Sequence, residues 1–121
     1  MIFGTFDRLH PGHEFFLKEA AKRGSVTVIV ARDRNVERIK GKPARENERA
    51  RAAAIQESFP AFYVQLGDAE DFLTAIREIN PDLILLGYDQ LLPPGVDADD
   101  LPCPVECIGS FQPERFKSSL L

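Results

Sequence analysis

A chain of 121 residues, 44% hydrophobic and 28% charged, has the size and composition of one soluble globular domain, residues 1–121, with a buried core. Its net charge of −4 argues against a broad nucleic-acid-binding surface, and no apolar run approaches the ~20 residues of a membrane span. With two cysteines and no export signal, a reduced, cytoplasmic protein is expected.

Met1-Ile2-Phe3 is short for a buried strand, as if the chain began inside its first one. A turn of unusual chemistry follows: Gly4-Thr5-Phe6-Asp7-Arg8-Leu9-His10-Pro11-Gly12-His13, which holds both histidines of the chain. A helix is predicted from about Pro11 to Arg23, with proline suited to its first turn and Gly24 to its stop. Phe15, Phe16, Leu17 and Ala20 supply its apolar face. Ser25–Ala31 is a β-branched run that reads as a buried parallel strand. Arg32–Pro43 reads as a charged loop dense in cations. A helix is expected from about Glu46 to Ser58, ending before Pro60.

Ala61–Leu66 is the third strand, and Asp68 suits the N-cap of a helix reaching Ile79, which Asn80-Pro81 breaks. Asp82–Leu86 is the fourth strand, apolar on both faces and ending in Gly87-Tyr88-Asp89-Gln90. Leu91–Pro102 reads as a loop and Pro104–Ile108 as a weaker last strand. Arg115–Leu121 resembles the first turns of a final helix that the chain cuts off. Cys103 and Cys107 are read as packing or incidental thiols, because a structural zinc site wants four ligands.

Alternating strands and helices predict an α/β fold: a Rossmann-like, doubly wound parallel sheet of about five strands with helices on both faces. Such sheets bind ligands at the carboxyl ends of their strands. Gly4–His13, Arg32–Lys42 and Gly87–Gln90 all lie at that edge, so three chemically rich segments are predicted to meet in one crevice. The turn after the first strand is expected to offer an anion exposed backbone N–H groups and a positive helix end. Two histidines three apart at that helix start fall on one side and can follow charge as it develops.

Gly-Thr-Phe-Asp followed by His-Pro-Gly-His resembles the signature of the cytidylyltransferase-like nucleotidyltransferases. These transfer a nucleoside monophosphate from CTP or ATP to a small phosphate-bearing acceptor and release pyrophosphate. The resemblance implies that His10 and His13 contact the triphosphate and stabilise the pentavalent transition state. It implies that Gly4, Thr5, Phe6 and Gly12 cradle phosphates, and that Asp7 positions the acceptor or a metal-bound water. Lys40 and Lys42, flanking Gly41, match the lysines with which relatives hold phosphates; Lys40 is assigned to catalysis and Lys42 to substrate. Arg51 fits the family's helix arginine, also toward substrate, whereas Arg45 and Arg49 read as surface charge.

Gly87 and Asp89 match the segment that contacts ribose and base. Ser118 and Ser119 sit where the family has a hydroxyl-rich helix start for the triphosphate, although Arg115 is out of register with the family's upstream arginine. Mg²⁺ or another divalent cation is implied, with no protein ligand assigned to it, and so is a homodimer. The segments around Ala31–Val36, Ile39–Pro43 and Leu86–Gln90 are most similar to archaeal-type FAD synthases, which adenylylate FMN with ATP. A glycerol-3-phosphate cytidylyltransferase using CTP is the competing reading. A nucleotide-binding module without catalysis is the alternative of another class.

Overall fold

The computed structural model describes residues 1–67, 72–87, 92, 97, 99 and 101–108. Within them the order is β1 (Ile2–Gly4), α1 (Pro11–Ala21), β2 (Thr27–Val30), α2 (Asp33–Lys40), α3 (Glu48–Ser58), β3 (Tyr63–Leu66), α4 (Phe72–Ile79), β4 (Ile84–Leu86) and β5 (Val105–Cys107). The five strands form one sheet in the order β3-β2-β1-β4-β5. Every pairing is parallel, with Ile2 opposite Val28 on one side and Leu85 on the other. The chain winds outward from β1 to β3 and then returns to the far side of β1. The switch point therefore lies between β1 and β4, where sheets of this kind open a crevice.

Side-chain alternation along the central strands sorts the core into two layers. Ile2, Val28, Val30 and Leu85 pack with Leu17 and Ala20 of α1 and Ile55 of α3. Phe3, Ile29, Ile84 and Leu86 point the other way, onto Ala75 and Ile76 of α4. Helices thus cover both faces, as the apolar runs of β2 and β4 require. The edge strand β3 is the exception: it alternates, and its Tyr63 is 69% exposed.

The largest difference from the sequence reading is α2. Arg32–Pro43 reads from the sequence as a loop, yet Asp33–Lys40 is helical. Half of its residues, Arg34, Glu37, Arg38 and Lys40, are straight-chain helix formers. Asn35 and Val36 are buried on one side, while Arg34, Glu37 and Arg38 face out. One buried turn in a charged helix leaves little periodicity for the eye to find. Lys40 is consequently the last residue of a helix, and Gly41 is its cap, left-handed at φ +79° with its N–H on Glu37 O at 2.9 Å. Other boundaries move by a residue or two: α1 ends at Ala21, β2 is Thr27–Val30, and α3 starts at Glu48 behind the N-cap Asn47. The expected helix start at Asp68, most of the loop between Leu91 and Pro102, and the final helix lie outside the described residues.

Leu17, with 0% exposure between α1 and the sheet, has no route to solvent when truncated. Leu17→Ala is expected to lower the unfolding free energy by about 3 kcal/mol in urea titration, without changing the slope.

Candidate active site

The turn after β1 folds by an unusual local solution. Phe6 and Arg8 both adopt left-handed backbone, at φ +53° and +56°, which costs an L side chain roughly 1 kcal/mol each. Burial offsets this at Phe6, which is 4% exposed and belongs to the core. Its ring lies over Gly4, where any Cβ would come within 2.5 Å of Phe6 Cε2. Gly4 is therefore glycine because Phe6 folds back across it. The same ring meets His13 edge-on, centroids 5.6 Å apart, and stacks on Phe16 at 6.4 Å.

His10 is the N-cap of α1. Its Nδ1 accepts from the backbone N–H of Gly12 at 3.1 Å and of His13 at 3.4 Å. With two amides pointed at it, Nδ1 holds its lone pair, so the ring proton sits on Nε2, on the far side of the imidazole. Gly12 makes room for this: a Cβ there would stand 3.0 Å from His10 Cε1. The expectation of exposed amides at this helix end is thereby corrected. Pro11 has none, Gly12 and His13 give theirs to the His10 ring, and Glu14 N–H bonds His10 O at 3.0 Å. What the helix end presents is a histidine edge.

His13 stacks against His10 with centroids 3.6 Å apart and 22° between planes. It is half-buried, and its Nδ1 is enclosed without a hydrogen-bond partner among the described residues. Burial, then the charges of His10 and Lys40, push its pKa down from 6.5 to about 4, against a smaller opposing pull from Asp7. At neutral pH the ring is uncharged. That Lys40 and Asp7 both act on it places the end of α2 and the motif aspartate around the histidine pair.

Asp7 faces protein. Its Oδ2 accepts from Arg45 N–H at 2.8 Å and its Oδ1 from Glu46 N–H at 2.9 Å. The Arg45 amide is the main reason its pKa lies below the ordinary carboxylate value. Arg51 is enclosed entirely, with 0% exposure. It donates to Thr5 O at 2.8 Å, Glu46 O at 3.0 Å and Asp33 Oδ1 at 2.7 Å. Around it, Glu48 accepts from Asp33 N–H at 2.8 Å and pairs with Arg32, whose Nε reaches Gly67 O at 2.7 Å.

The structure therefore gathers Gly4, Thr5, Phe6, Asp7, His10, Gly12, His13, Lys40 and Arg51 at one edge of the sheet. Lys42 is exposed on the α2–α3 loop, and Gly87 closes β4 on the other side of β1. Asp89, Ser118 and Ser119 lie outside the described residues. Sequence reading missed Asp33, Glu46 and Glu48. The one signal for them was the acidic Glu46-Asn47-Glu48 start of α3, which reads as ordinary helix-terminal charge. A cleft of about 750 Å³ opens between α2 (Asp33, Arg34, Glu37, Arg38) and the α2–α3 loop at Pro43, Ala44 and Arg45.

The cytidylyltransferase-like family pattern matches residues 1–114. The chain belongs to the cytidylyltransferase-like family. It is 45% identical over 91 residues to the FAD synthase of Aciduliprofundum boonei, covering 74% of this chain and 60% of that protein. It is 43% identical over 104 residues to the FAD synthase of Methanolacinia petrolearia, covering 85% and 66% respectively. The chain thus spans less than two thirds of the length of these curated relatives. Among solved structures it is similar to the lipopolysaccharide core biosynthesis protein of Thermoplasma volcanium GSS1. The TM-score is 0.78 at 33% identity, over 92% of this chain and 95% of that one. The parallel sheet and the histidine turn are accordingly those of a cytidylyltransferase-like protein.

Two outcomes test this geometry. Between pH 6.5 and about 4 the unfolded chain protonates His13 while the folded chain does not. Stability should therefore fall as pH falls through that window, and His13→Gln should remove that part of the slope in denaturant titrations at stepped pH. Arg51→Met leaves Asp33 and two carbonyls without their donor. It should cost about 3 kcal/mol of stability, and Arg51→Lys should restore little, because one ammonium cannot serve three diverging acceptors.

Proposed function

We propose that the chain is a nucleotidyltransferase that moves AMP from ATP to FMN, giving FAD and pyrophosphate. The observation that carries this reading is the stacked histidine pair, with one tautomer fixed by the helix and the other ring kept neutral. Similarity to FAD synthases supports ATP and FMN over CTP and glycerol 3-phosphate.

In this reading an FMN phosphate oxygen attacks the α-phosphorus of ATP. The new P–O bond forms as the bond from that phosphorus to the bridging oxygen breaks, and pyrophosphate carries the electron pair away. The acceptor phosphate is already ionised, so no general base is needed. The protein's part is alignment and charge stabilisation. His10 Nε2–H donates to the α-phosphate as charge builds on it. His13, neutral before the ligand arrives, is drawn toward its charged form by the triphosphate beside it. Lys40 adds a fixed positive charge. Gly87, with Asp89 in the same assignment, takes the nucleoside on the β4 side, and Ser118 and Ser119 the outer phosphates. Lys42 holds the acceptor's phosphate.

The cleft beside α2 has the volume of an ordinary ligand site, and its three arginines outnumber its two carboxylates, Asp33 and Glu37, which supports a phosphorylated acceptor. Among the described residues no cluster of three His, Cys, Asp or Glu side chains is arranged to hold a metal, and both Asp7 oxygens already accept amides. In this reading the phosphates of ATP would hold Mg²⁺, supplying the oxygens it prefers, and the ion would add positive charge to the triphosphate. Asp7 and Arg51 act by shaping the site. Among the described residues no helix is long and apolar enough to cross a membrane. A homodimer in the cytoplasm completes the proposal.

The test is pyrophosphate release with Mg²⁺ and each pairing of ATP or CTP with FMN or glycerol 3-phosphate. Release with ATP and FMN alone is expected; release only with CTP and glycerol 3-phosphate would transfer the assignment to that activity. His10→Ala should lower kcat about a hundredfold or more while ATP affinity stays within a few-fold. Nucleotide binding without any turnover, in wild type as in variant, would identify a binding module.

A further inference from the structure

The α2–α3 loop carries Lys42, is exposed at residues 40–43, and starts from the left-handed Gly41. Such a loop needs a fastening if its lysine is to meet a ligand in a fixed place. The fastening is at its far end, and Glu46 is its centre. The N–H, the carbonyl and one carboxylate oxygen of Glu46 are engaged with the motif turn or the arginine beneath it. Its N–H donates to Asp7 Oδ1 at 2.9 Å, its carbonyl accepts from Arg51 Nε at 3.0 Å, and its Oε1 accepts from Arg8 N–H at 2.8 Å. Next to it, Arg45 N–H donates to Asp7 Oδ2 at 2.8 Å.

The pairing is reciprocal. An acid of the turn takes two amides of the loop, and an acid of the loop takes an amide of the turn. The two partners lie 38 or 39 residues apart in the chain, so local folding does not dictate it. It also explains the left-handed Arg8. That conformation is unfavourable for arginine, and here the Arg8 N–H is bonded to the Glu46 carboxylate, a charge-assisted bond that offsets the strain. Neither core layer includes these residues. The clip joins two segments of the ligand edge to each other.

From this we infer that Glu46 is a positioning residue for transfer at the histidine pair, holding the Lys42 loop in register with the motif turn. The inference rests on the transfer reading above, and Glu46 acts through the loop without touching the reacting atoms. Small displacements of aligned groups weaken transfer strongly. The side chain's share is separable from the backbone's: Glu46→Ala removes only the bond to Arg8, whereas Glu46→Gln keeps an acceptor oxygen there.

The experiment measures steady-state kinetics with ATP and FMN, together with amide hydrogen exchange over residues 41–47, for wild type, Glu46→Ala and Glu46→Gln. Arg49→Ala, an exposed change on α3, serves as the control. Glu46→Ala should lower kcat/KM for FMN about tenfold, leave ATP affinity within twofold, and speed exchange in the loop; Glu46→Gln should recover most of each. Kinetics of Glu46→Ala equal to wild type, or Glu46→Gln as impaired as Glu46→Ala, would overturn the inference. So would unchanged loop exchange, whatever the kinetics. If wild type transfers nothing, the transfer reading fails by itself, and the exchange data alone decide whether Glu46 fastens the loop.

Discussion

A guanidinium keeps its charge under any condition the fold survives, so a fully enclosed one must be surrounded by oxygens. Arg51 imposes that constraint on the whole ligand edge. Its three acceptors come from three segments: the turn after β1, the first residue of α2, and the loop before α3. Arg51 and Ile55 are four residues apart on α3, so both fall on the face turned to the sheet, one at the ligand edge and one in the core. Packing Ile55 thus carries Arg51 beneath the motif. Bringing the carbonyls of Thr5 and Glu46 and the Asp33 carboxylate together without the cation would set three negative dipoles or charges against one another. With it, the same convergence is favourable.

That anchor makes the strain in the turn tolerable. Phe6 and Arg8 are left-handed within three residues of each other, and neither would adopt this conformation in an isolated peptide. Phe6 is held by its ring, packed over Gly4, against His13 and along Phe16. Arg8 is held by its amide. Between them Asp7 is presented to the loop, and beyond them His10 arrives at the start of α1 in the extended conformation an N-cap needs. The histidine edge is thus the far end of a chain of constraints that begins in the core.

How much of this the sequence disclosed depends on whether a contact is local. The strands were legible because β2 and β4 are continuous apolar runs, and the crossovers they require give a doubly wound sheet; its strand order is a tertiary fact. The histidine pair was legible because it lies within one short string. Helix α2 was obscured because, among its described side chains, only Asn35 and Val36 are buried among so many charges. Asp7, Arg51 and Glu46 were harder still. Their types and positions are visible, but their partners lie 38, 46 and 39 residues away, and nothing local distinguishes a carboxylate facing a ligand from one facing two amides. Arg45, read as surface charge, contributes its backbone to that clip and lines the cleft.

The histidine pair also resolves an electrostatic difficulty. Two imidazolium ions 3.6 Å apart would repel strongly in a half-buried site. The fold avoids this by giving the rings different duties. His10 turns its lone pair to the helix, so the amides of Gly12 and His13 polarise the ring and the influence of the helix end emerges at Nε2–H. His13 is pressed against Phe6 and feels the charge of Lys40, so burial and neighbouring charge keep its proton off until an anion compensates. A histidine pair arranged this way stores little repulsion, and His13 adds its charge to that of Lys40 only where negative charge compensates it. A phosphoryl centre accumulating charge on its equatorial oxygens presents that situation, and a resting-state cation pair would be too costly to maintain for it.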